Sequence, residues 1–289
     1  MQNTIPAESQ HLIDLALSED LSEHGDLTSQ FFIPQEHQST ALIVSREPVI
    51  LAGSAIAQAT FQTVDSNLSI ELLQTDGASI AKGDTLMSIH GSTRSILTAE
   101  RTALNFLQRL CGIATTTHTY VAAVKGSQAQ ILDTRKTTPA WRQLEKAAVK
   151  AGGGTNHRIG LYDAIMVKDN HLVAGHAADD ISAAISRARK QFPDITIELE
   201  VDTVEQLELY LTIKGIDVIL LDNMNPQLLS QAVTMRDQTR PDIKLEASGG
   251  ITLDTISAIA DTGVDFISVG ALTHSVRSVD LSLELQPEA

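Results

Sequence analysis

Apolar and polar positions follow two rhythms in this chain, and the rhythm changes near residue 130. Before that point helix and strand patterns are mixed. Residues 9–20 repeat apolar side chains at helical spacing, Thr40–Glu47 and Leu68–Thr75 read as strands, and Ala55–Val64, after Gly53, is again helical. Between Asp76 and Leu86 paired turn signals flank short alternating runs, which predicts a local β-hairpin with Lys82-Gly83 in its turn. The longest helical pattern runs from Ile96 to Val124, with Leu97, Leu104, Leu107, Leu110 and Cys111 on one face. Glu100 sits early in it, where the helix dipole favours an acid, and Gly112 predicts a break or kink.

After residue 130 short apolar runs alternate with helical ones. Strands are predicted at Ala129–Leu132, Ala164–Val167, Thr196–Val201, Val218–Leu221, Ile243–Ala247 and Phe266–Val269. Helical spacing intervenes at Ile181–Lys190, Val204–Tyr210, Pro226–Arg236 and Leu253–Ala260. Short buried strands separated by helices indicate parallel βα units. The pattern by itself fits a barrel or an open doubly wound sheet.

Each of the six strands ends in chemistry. The first leads into Asp133, Thr134, Arg135 and Lys136, and the second into Lys168, Asp169, Asn170 and His171. The third carries Glu200, the fourth ends at Asp222-Asn223, the fifth at Ser248-Gly249-Gly250 and the sixth at Gly270. Catalytic groups of (β/α) barrels stand at the carboxyl ends of the strands, so the six ends predict one mouth. Ser248-Gly249-Gly250 reads as an anion nest before a helix and, with Gly270, as the place for a 5′-phosphate. Gly152-Gly153-Gly154 reads either as a flexible loop or as a close backbone approach to a ligand.

Composition narrows what such a mouth would hold. The chain has 289 residues, enough for two domains, and its 43% hydrophobic and 20% charged content is that of a globular protein. Aromatic content of 3% means aliphatic cores. A net charge of −15 argues against nucleic acid and anionic membrane surfaces as partners. No apolar run reaches the ~18–20 residues of a membrane span, and the N-terminus lacks the layout of a signal peptide. Cys111 is the one cysteine, read as a small buried hydrophobe, and a reducing cytoplasm is the default location.

Against that acidic background, seven of the 21 Lys and Arg residues lie between residues 135 and 171, beside three acids. Arg142, Lys146 and Lys150 are assigned to the solvated face of a helix. Arg135 and Arg158 suit bidentate carboxylate recognition, Lys168 adds a compact point charge, His157 adds a hydrogen-bond donor, and Lys136 is set apart with them from the helix-face cations. Glu200 and Asp222 could hold a divalent metal or stabilise a developing positive charge. Arg101, near the start of the long helix, reads as a surface residue. No zinc-type cluster, nucleophile elbow, P-loop or dinucleotide fingerprint is present.

The segments T-R-K-T-T-P (134–139), G-G-G-x-x-H-R-x-G-L (152–161), K-D-N-H (168–171), E-L-E-V (198–201), L-L-D-N (220–223) and E-A-S-G-G-I (246–251) together resemble the quinolinate phosphoribosyltransferase family. So do E-D-x-x-x-x-G-D-L-T-S (19–29) and E-R-T-A-L-N-F-L-Q (100–108). The resemblance runs from about residue 10 to residue 275 and implies an α/β protein of type II phosphoribosyltransferase architecture. Residues 1–112 would form an N-terminal α/β sandwich, 113–272 an incomplete seven-strand (β/α) barrel, and 273–289 a tail returning to the sandwich. The implied reaction joins quinolinate to phosphoribosyl pyrophosphate with Mg²⁺, giving nicotinate mononucleotide, pyrophosphate and CO₂.

The resemblance also implies roles. Arg135, His157, Arg158 and Lys168 would grip the two carboxylates, and Thr134 and Lys136 would belong to the substrate site, Lys136 on the phosphoribosyl donor. Glu200 and Asp222 would serve its ribose and metal region, and Ser248, Gly249, Gly250 and Gly270 its 5′-phosphate. Lys168, Glu200 and Asp222 are the expected catalytic groups. Arg101 would reach into a neighbouring subunit's site, which requires a homodimer or a hexamer. Three rivals are weighed beside this reading: a nicotinate phosphoribosyltransferase, a non-catalytic relative, which would be expected to lose some of Arg135, Lys168, Glu200 or Asp222 although all four are here, and an aldolase-type barrel with Lys168 as Schiff-base former.

Overall fold

The computed structural model describes residues 5–171 and 178–287. In chain order its elements begin with α1 (Ala7–Leu21), α2 (Leu27–Phe32), β1 (Gln38–Ser45), β2 (Val49–Ile50), α3 (Ser54–Val64), β3 (Ser69–Leu72), β4 (Ser79–Ile80), β5 (Thr85–Ser92) and α4 (Thr93–Ala123). They continue with β6 (Gln130–Leu132), α5 (Arg142–Ala151), β7 (Ala164–Val167), α6 (Ala178–Gln191), β8 (Thr196–Val201), α7 (Val204–Leu211) and β9 (Val218–Asp222). The last are α8 (Pro226–Thr239), β10 (Lys244–Ser248), α9 (Ile256–Ala260), β11 (Phe266–Ser268), α10 (Ala271–His274) and β12 (Leu281–Leu285). The chain divides into two compact units: Met1–His118 with Pro139–Gly153 and Ser275–Ala289, and Thr119–Thr138 with Gly154–His274.

The first unit is built on an antiparallel sheet ordered β12-β1-β5-β3. The C-terminal strand completes it, pairing Leu281–Leu285 with Ala41–Ser45. Its core is mainly aliphatic: Ile43, Phe61, Ile89, Leu104 and Leu107 are each at most 1% exposed. Burying a side chain of this size contributes about 1.5–3 kcal/mol before entropy is counted.

Four sequence expectations fail in this unit. Residues 76–86 do not form a local hairpin, because β4 pairs with β2 while β5 pairs with β1 and β3. The Lys82-Gly83 turn is there, with Gly83 at φ +92°, but it hands the chain from one sheet to another. Gly112 neither breaks nor kinks α4 out of its helix, which runs on to Ala123. A Cβ at Gly112 would stand 2.2 Å from the carbonyl oxygen of Arg277, so the glycine admits the returning tail. Lys146 is not on a solvated face; it is 1% exposed, beside Glu145, which is fully buried and ion-paired to Arg109 at 2.8 Å. Since α4 starts at Thr93, Glu100 lies two turns in rather than at the helix start, and burial raises its pKa.

The second unit carries six parallel strands among the described residues, ordered β6-β11-β10-β9-β8-β7. All six predicted strands are present, within a residue or two of their expected bounds. The seventh strand position is reduced to one parallel bridge between Leu132 and Thr155. Helix starts follow local chemistry: Thr203 and Gln206 form a reciprocal capping box for α7, and Asn225 caps α8 with Pro226 behind it. The helix expected over Leu253–Ala260 shortens to α9, so no helix directly follows Gly250.

Candidate active site

Residues two apart on a strand share a face. On β8 this sets Glu198 and Glu200 on one side, and on β10 Glu246 and Ser248. A cavity of about 590 Å³ lies at the carboxyl ends of the strands. Thr134, Arg135 and Lys136 line it after β6, Lys168 after β7, Glu200 on β8, and Asp222 at the end of β9. Ser248, Gly249 and Gly250 close it after β10, and His157 and Arg158 enter from the loop before β7. A separate cavity of about 430 Å³ between β7 and α6 is lined mainly by aliphatic side chains such as Ile165, Val167 and Ile185.

Two basic side chains of the cavity have anionic neighbours. Lys168 Nζ donates to Glu200 Oε2. His157 Nε2 lies 3.0 Å from Glu198 Oε2 and 3.4 Å from Glu246 Oε2, both glutamates being 2% exposed. Burial would lower the imidazole pKa, but hydrogen bonds to Glu198 and Glu246 and their charges outweigh it and lift it to about 10. Burial lowers the Arg158 pKa, and the nearby Arg135 charge lowers it further. The Glu198 carboxyl is raised, by burial and then by Glu246, against the opposing pull of His157 and Arg158.

Backbone geometry fixes the corner where the sequence predicts an anion nest. Gly249 and Gly250 have φ of +94° and +60°, a conformation natural to glycine. A Cβ at Gly249 would meet Asn223 Oδ1 at 2.1 Å, and Asn223 Nδ2 donates to Asp222 Oδ2 at 2.6 Å. The two glycines therefore turn against the Asp222-Asn223 corner, without the following helix that the sequence reading expected. Gly270 lies outside the cavity lining, against Lys136, whose Cδ would stand 3.2 Å from an added Cβ.

Eleven of the expected site residues thus line one cavity, while Gly270 flanks it and Arg101 does not line it. Arg101 is exposed on α4. Asp133, Glu198, Glu246 and Ser268 were not picked out as site residues. For the two glutamates the signal was in the strand pattern: Glu198 and Glu246 are charges at the third, buried position of their strands, each between apolar neighbours.

Residues 26–111 match the family described as Quinolinate phosphoribosyl transferase, N-terminal domain, and residues 113–284 match its C-terminal domain. This chain belongs to the quinolinate phosphoribosyltransferase family. It is 44% identical over 262 residues to the probable nicotinate-nucleotide pyrophosphorylase [carboxylating] of Bacillus subtilis (strain 168), covering 90% of this chain and 88% of that one. It is 42% identical to the nicotinate-nucleotide pyrophosphorylase [carboxylating] of Mycobacterium leprae (strain TN), covering 93% and 94%. The solved structure of the nicotinate-nucleotide pyrophosphorylase from Francisella tularensis superposes with a TM-score of 0.90 at 38% identity, covering 99% of each chain. The polar cavity is therefore the candidate active site of a quinolinate phosphoribosyltransferase family member.

Proposed function

We infer that this enzyme transfers the phosphoribosyl group of phosphoribosyl pyrophosphate to quinolinate with decarboxylation, releasing nicotinate mononucleotide, pyrophosphate and CO₂ in de novo NAD biosynthesis. Family membership over nearly the whole chain carries the reading. The cavity's chemistry supports it, because a dicarboxylate and a polyphosphate donor both call for clustered cations.

In this reading Arg135, His157, Arg158 and Lys168 hold the quinolinate carboxylates. Thr134 and Lys136 contact the phosphoribosyl donor, whose 5′-phosphate sits against Ser248, Gly249 and Gly250, with Gly270 behind Lys136. As pyrophosphate departs, positive charge develops on the ribosyl carbon, and Glu200 and Asp222 stabilise it. The new pyridinium ring then accepts the electron pair of the breaking carbon–carboxylate bond as CO₂ leaves. Lys168 assists there, leaving Glu200 for the ligand carboxylate. The resulting carbanion takes up one proton.

Glu200 and Asp222 also fit Mg²⁺. They offer hard oxygen donors at neighbouring strand ends of one cavity, and Mg²⁺ is commonly held by one or two carboxylates together with substrate phosphates. When bound, the ion would neutralise charge on the pyrophosphate oxygens. Arg101 belongs to the reading as a cation lent to the site of a second subunit in a homodimer or hexamer, which its exposure on α4 permits. No helix among the described residues is long and apolar enough to cross a membrane, and a cytoplasmic setting fits the single free thiol of Cys111.

The test is to incubate the enzyme with Mg²⁺, phosphoribosyl pyrophosphate and either pyridine acid. Stoichiometric CO₂ release with quinolinate and no turnover of nicotinate is expected. Turnover of nicotinate at a comparable rate overturns the substrate assignment.

A further inference from the structure

Asn223 joins two parts of the mouth that the reaction as described above treats separately. Asp222 and Ser248 are register partners at the ends of β9 and β10, so the Asp222 carboxylate and the Gly249-Gly250 turn leave the sheet side by side. Asn223 follows Asp222 in the left-handed region, at φ +53°. Asparagine tolerates that conformation better than most residues, so a turn alone would account for its backbone. Its side chain goes further. Nδ2 donates to Asp222 Oδ2 at 2.6 Å, while the backbone N–H donates to the Ser248 carbonyl oxygen at 2.9 Å. Oδ1 and Cγ stand 2.1 and 2.6 Å from the place where a Cβ on Gly249 would be. One carboxamide therefore stands between the Asp222 carboxylate and the bare backbone of Gly249. Among the described residues, Asp222 makes no other side-chain hydrogen bond or ion pair, so Asn223 is what orients it.

We propose that Asn223 is a positioning residue for the phosphoribosyl donor, its carboxamide aligning the Asp222 carboxylate against the Gly249 backbone. The inference rests on the reading of this cavity as the donor site. A ribose 5′-phosphate needs oxygen acceptors for its sugar end and N–H donors for its phosphate, held at one fixed separation. Here those groups come from two different strand ends, and Asn223 touches both. Its amide ties one Asp222 oxygen, which stops the carboxylate from swinging about its own side chain. Its oxygen edge limits how closely the Gly249 backbone approaches β9. Groups already held in their bound orientation lose less freedom when the ligand arrives, so the effect falls on donor affinity. Asn223 is exposed and lines the cavity, so a bound donor would shield its bond to Asp222 from water and strengthen it. The residues assigned to quinolinate lie after β6, after β7 and in the loop before β7, away from this corner in the strand order.

The experiment measures KM for phosphoribosyl pyrophosphate and for quinolinate in the wild type, Asn223→Gly, Asn223→Asp and Lys136→Ala. Calorimetry on the same proteins gives Kd for nicotinate mononucleotide, which carries the same ribose 5′-phosphate and needs no turnover. Glycine keeps the left-handed backbone and removes the carboxamide. Aspartate keeps the shape and tolerates that backbone, but offers Asp222 an acceptor in place of a donor. Donor KM and nucleotide Kd should each rise about tenfold in Asn223→Gly, the size of one lost hydrogen bond to a charged group, and further in Asn223→Asp. Quinolinate KM should not move in either. In an Asp222→Ala background, Asn223→Gly should add no more than about threefold to the nucleotide Kd, because the group it orients is gone. A general loosening of the loop would add the full effect in both backgrounds. Donor KM and nucleotide Kd within about twofold of wild type in Asn223→Gly overturn the proposal, as does an equal rise in both KM values. If Lys136→Ala also leaves donor KM unchanged, the donor-site reading falls with it; if Lys136→Ala raises that KM, only the role of Asn223 fails.

Discussion

The interiors of the two units are built on opposite terms. Around Phe61, Ile89 and Leu107 the sandwich core holds aliphatic and aromatic side chains with Cys111 among them, so nearly every buried atom there favours folding. The barrel interior instead buries Asp133, Glu198 and Glu246 against His157. Buried charges of this kind cost desolvation that their pairing recovers in part, and apolar replacements of similar shape are often as stable. A protein gains from such an arrangement when the charges must face a ligand. The sandwich has its own ionic exception, Arg109 with the buried Glu145, but that pair lies between α4 and α5, apart from the aliphatic cluster. The difference separates substitutions that should weaken the fold from those that should weaken the chemistry.

The largest effect should come from outside the cavity lining. Arg101→Ala should abolish turnover, and mixing it with a Lys168→Ala protein should restore part of it once subunits exchange, since one hybrid site then has both residues intact. Absence of recovery despite proven exchange removes the shared-site reading. Next, Arg135→Ala and Arg158→Ala should each raise quinolinate KM by roughly 30- to 5,000-fold, or about 2–5 kcal/mol for a lost charged partner, with KM for the phosphoribosyl donor changed far less. Equal effects on both would falsify the carboxylate assignment. In the sandwich core, Leu107→Ala should cost about 2–5 kcal/mol of unfolding free energy in denaturant titrations. Both KM values should hold under conditions where it remains folded. A shift in quinolinate KM there would mean that the two interiors are less independent than their chemistry suggests.

This division also explains what could be read from the sequence. The six barrel strands were legible because short apolar runs ended by polar residues carry both their length and their direction. The cation-rich mouth followed, since strand ends of parallel units converge. Lys146 was misread because helical spacing places a lysine on a face without saying what covers that face; in α5 it is buried beside Glu145. The residues 76–86 pattern was misread for a similar reason, as turn residues specify a reversal but not which strand pairs after it. Gly112 looked like a helix breaker because the carbonyl of Arg277, far along the chain, is what requires its missing side chain. Glu198 and Glu246 were visible as charges inside apolar strands, yet their convergence on His157 depends on the order of β8, β9 and β10 in the sheet.

The smallest predicted effect tests the aliphatic side of the comparison through its one ionisable thiol. Cys111 is buried, its thiol donates to the Ala52 carbonyl oxygen at 3.4 Å, and burial pushes its pKa up to about 12. Folding therefore favours the protonated thiol. Its contribution to stability is fully present below the unfolded-state pKa of about 8.5 and declines as pH rises from there toward 12. Compared with Cys111→Ala, the wild-type protein should have a constant stability advantage from pH 6 to 8 that shrinks above pH 9, read from paired denaturant melts. Native enzyme should resist alkylation at pH 8 and react once unfolded, because the attacking species is the thiolate. Turnover should be the same in both proteins. A Cys111→Ala enzyme that is folded and inactive would move the chemistry into the sandwich core and erase the contrast between the two interiors.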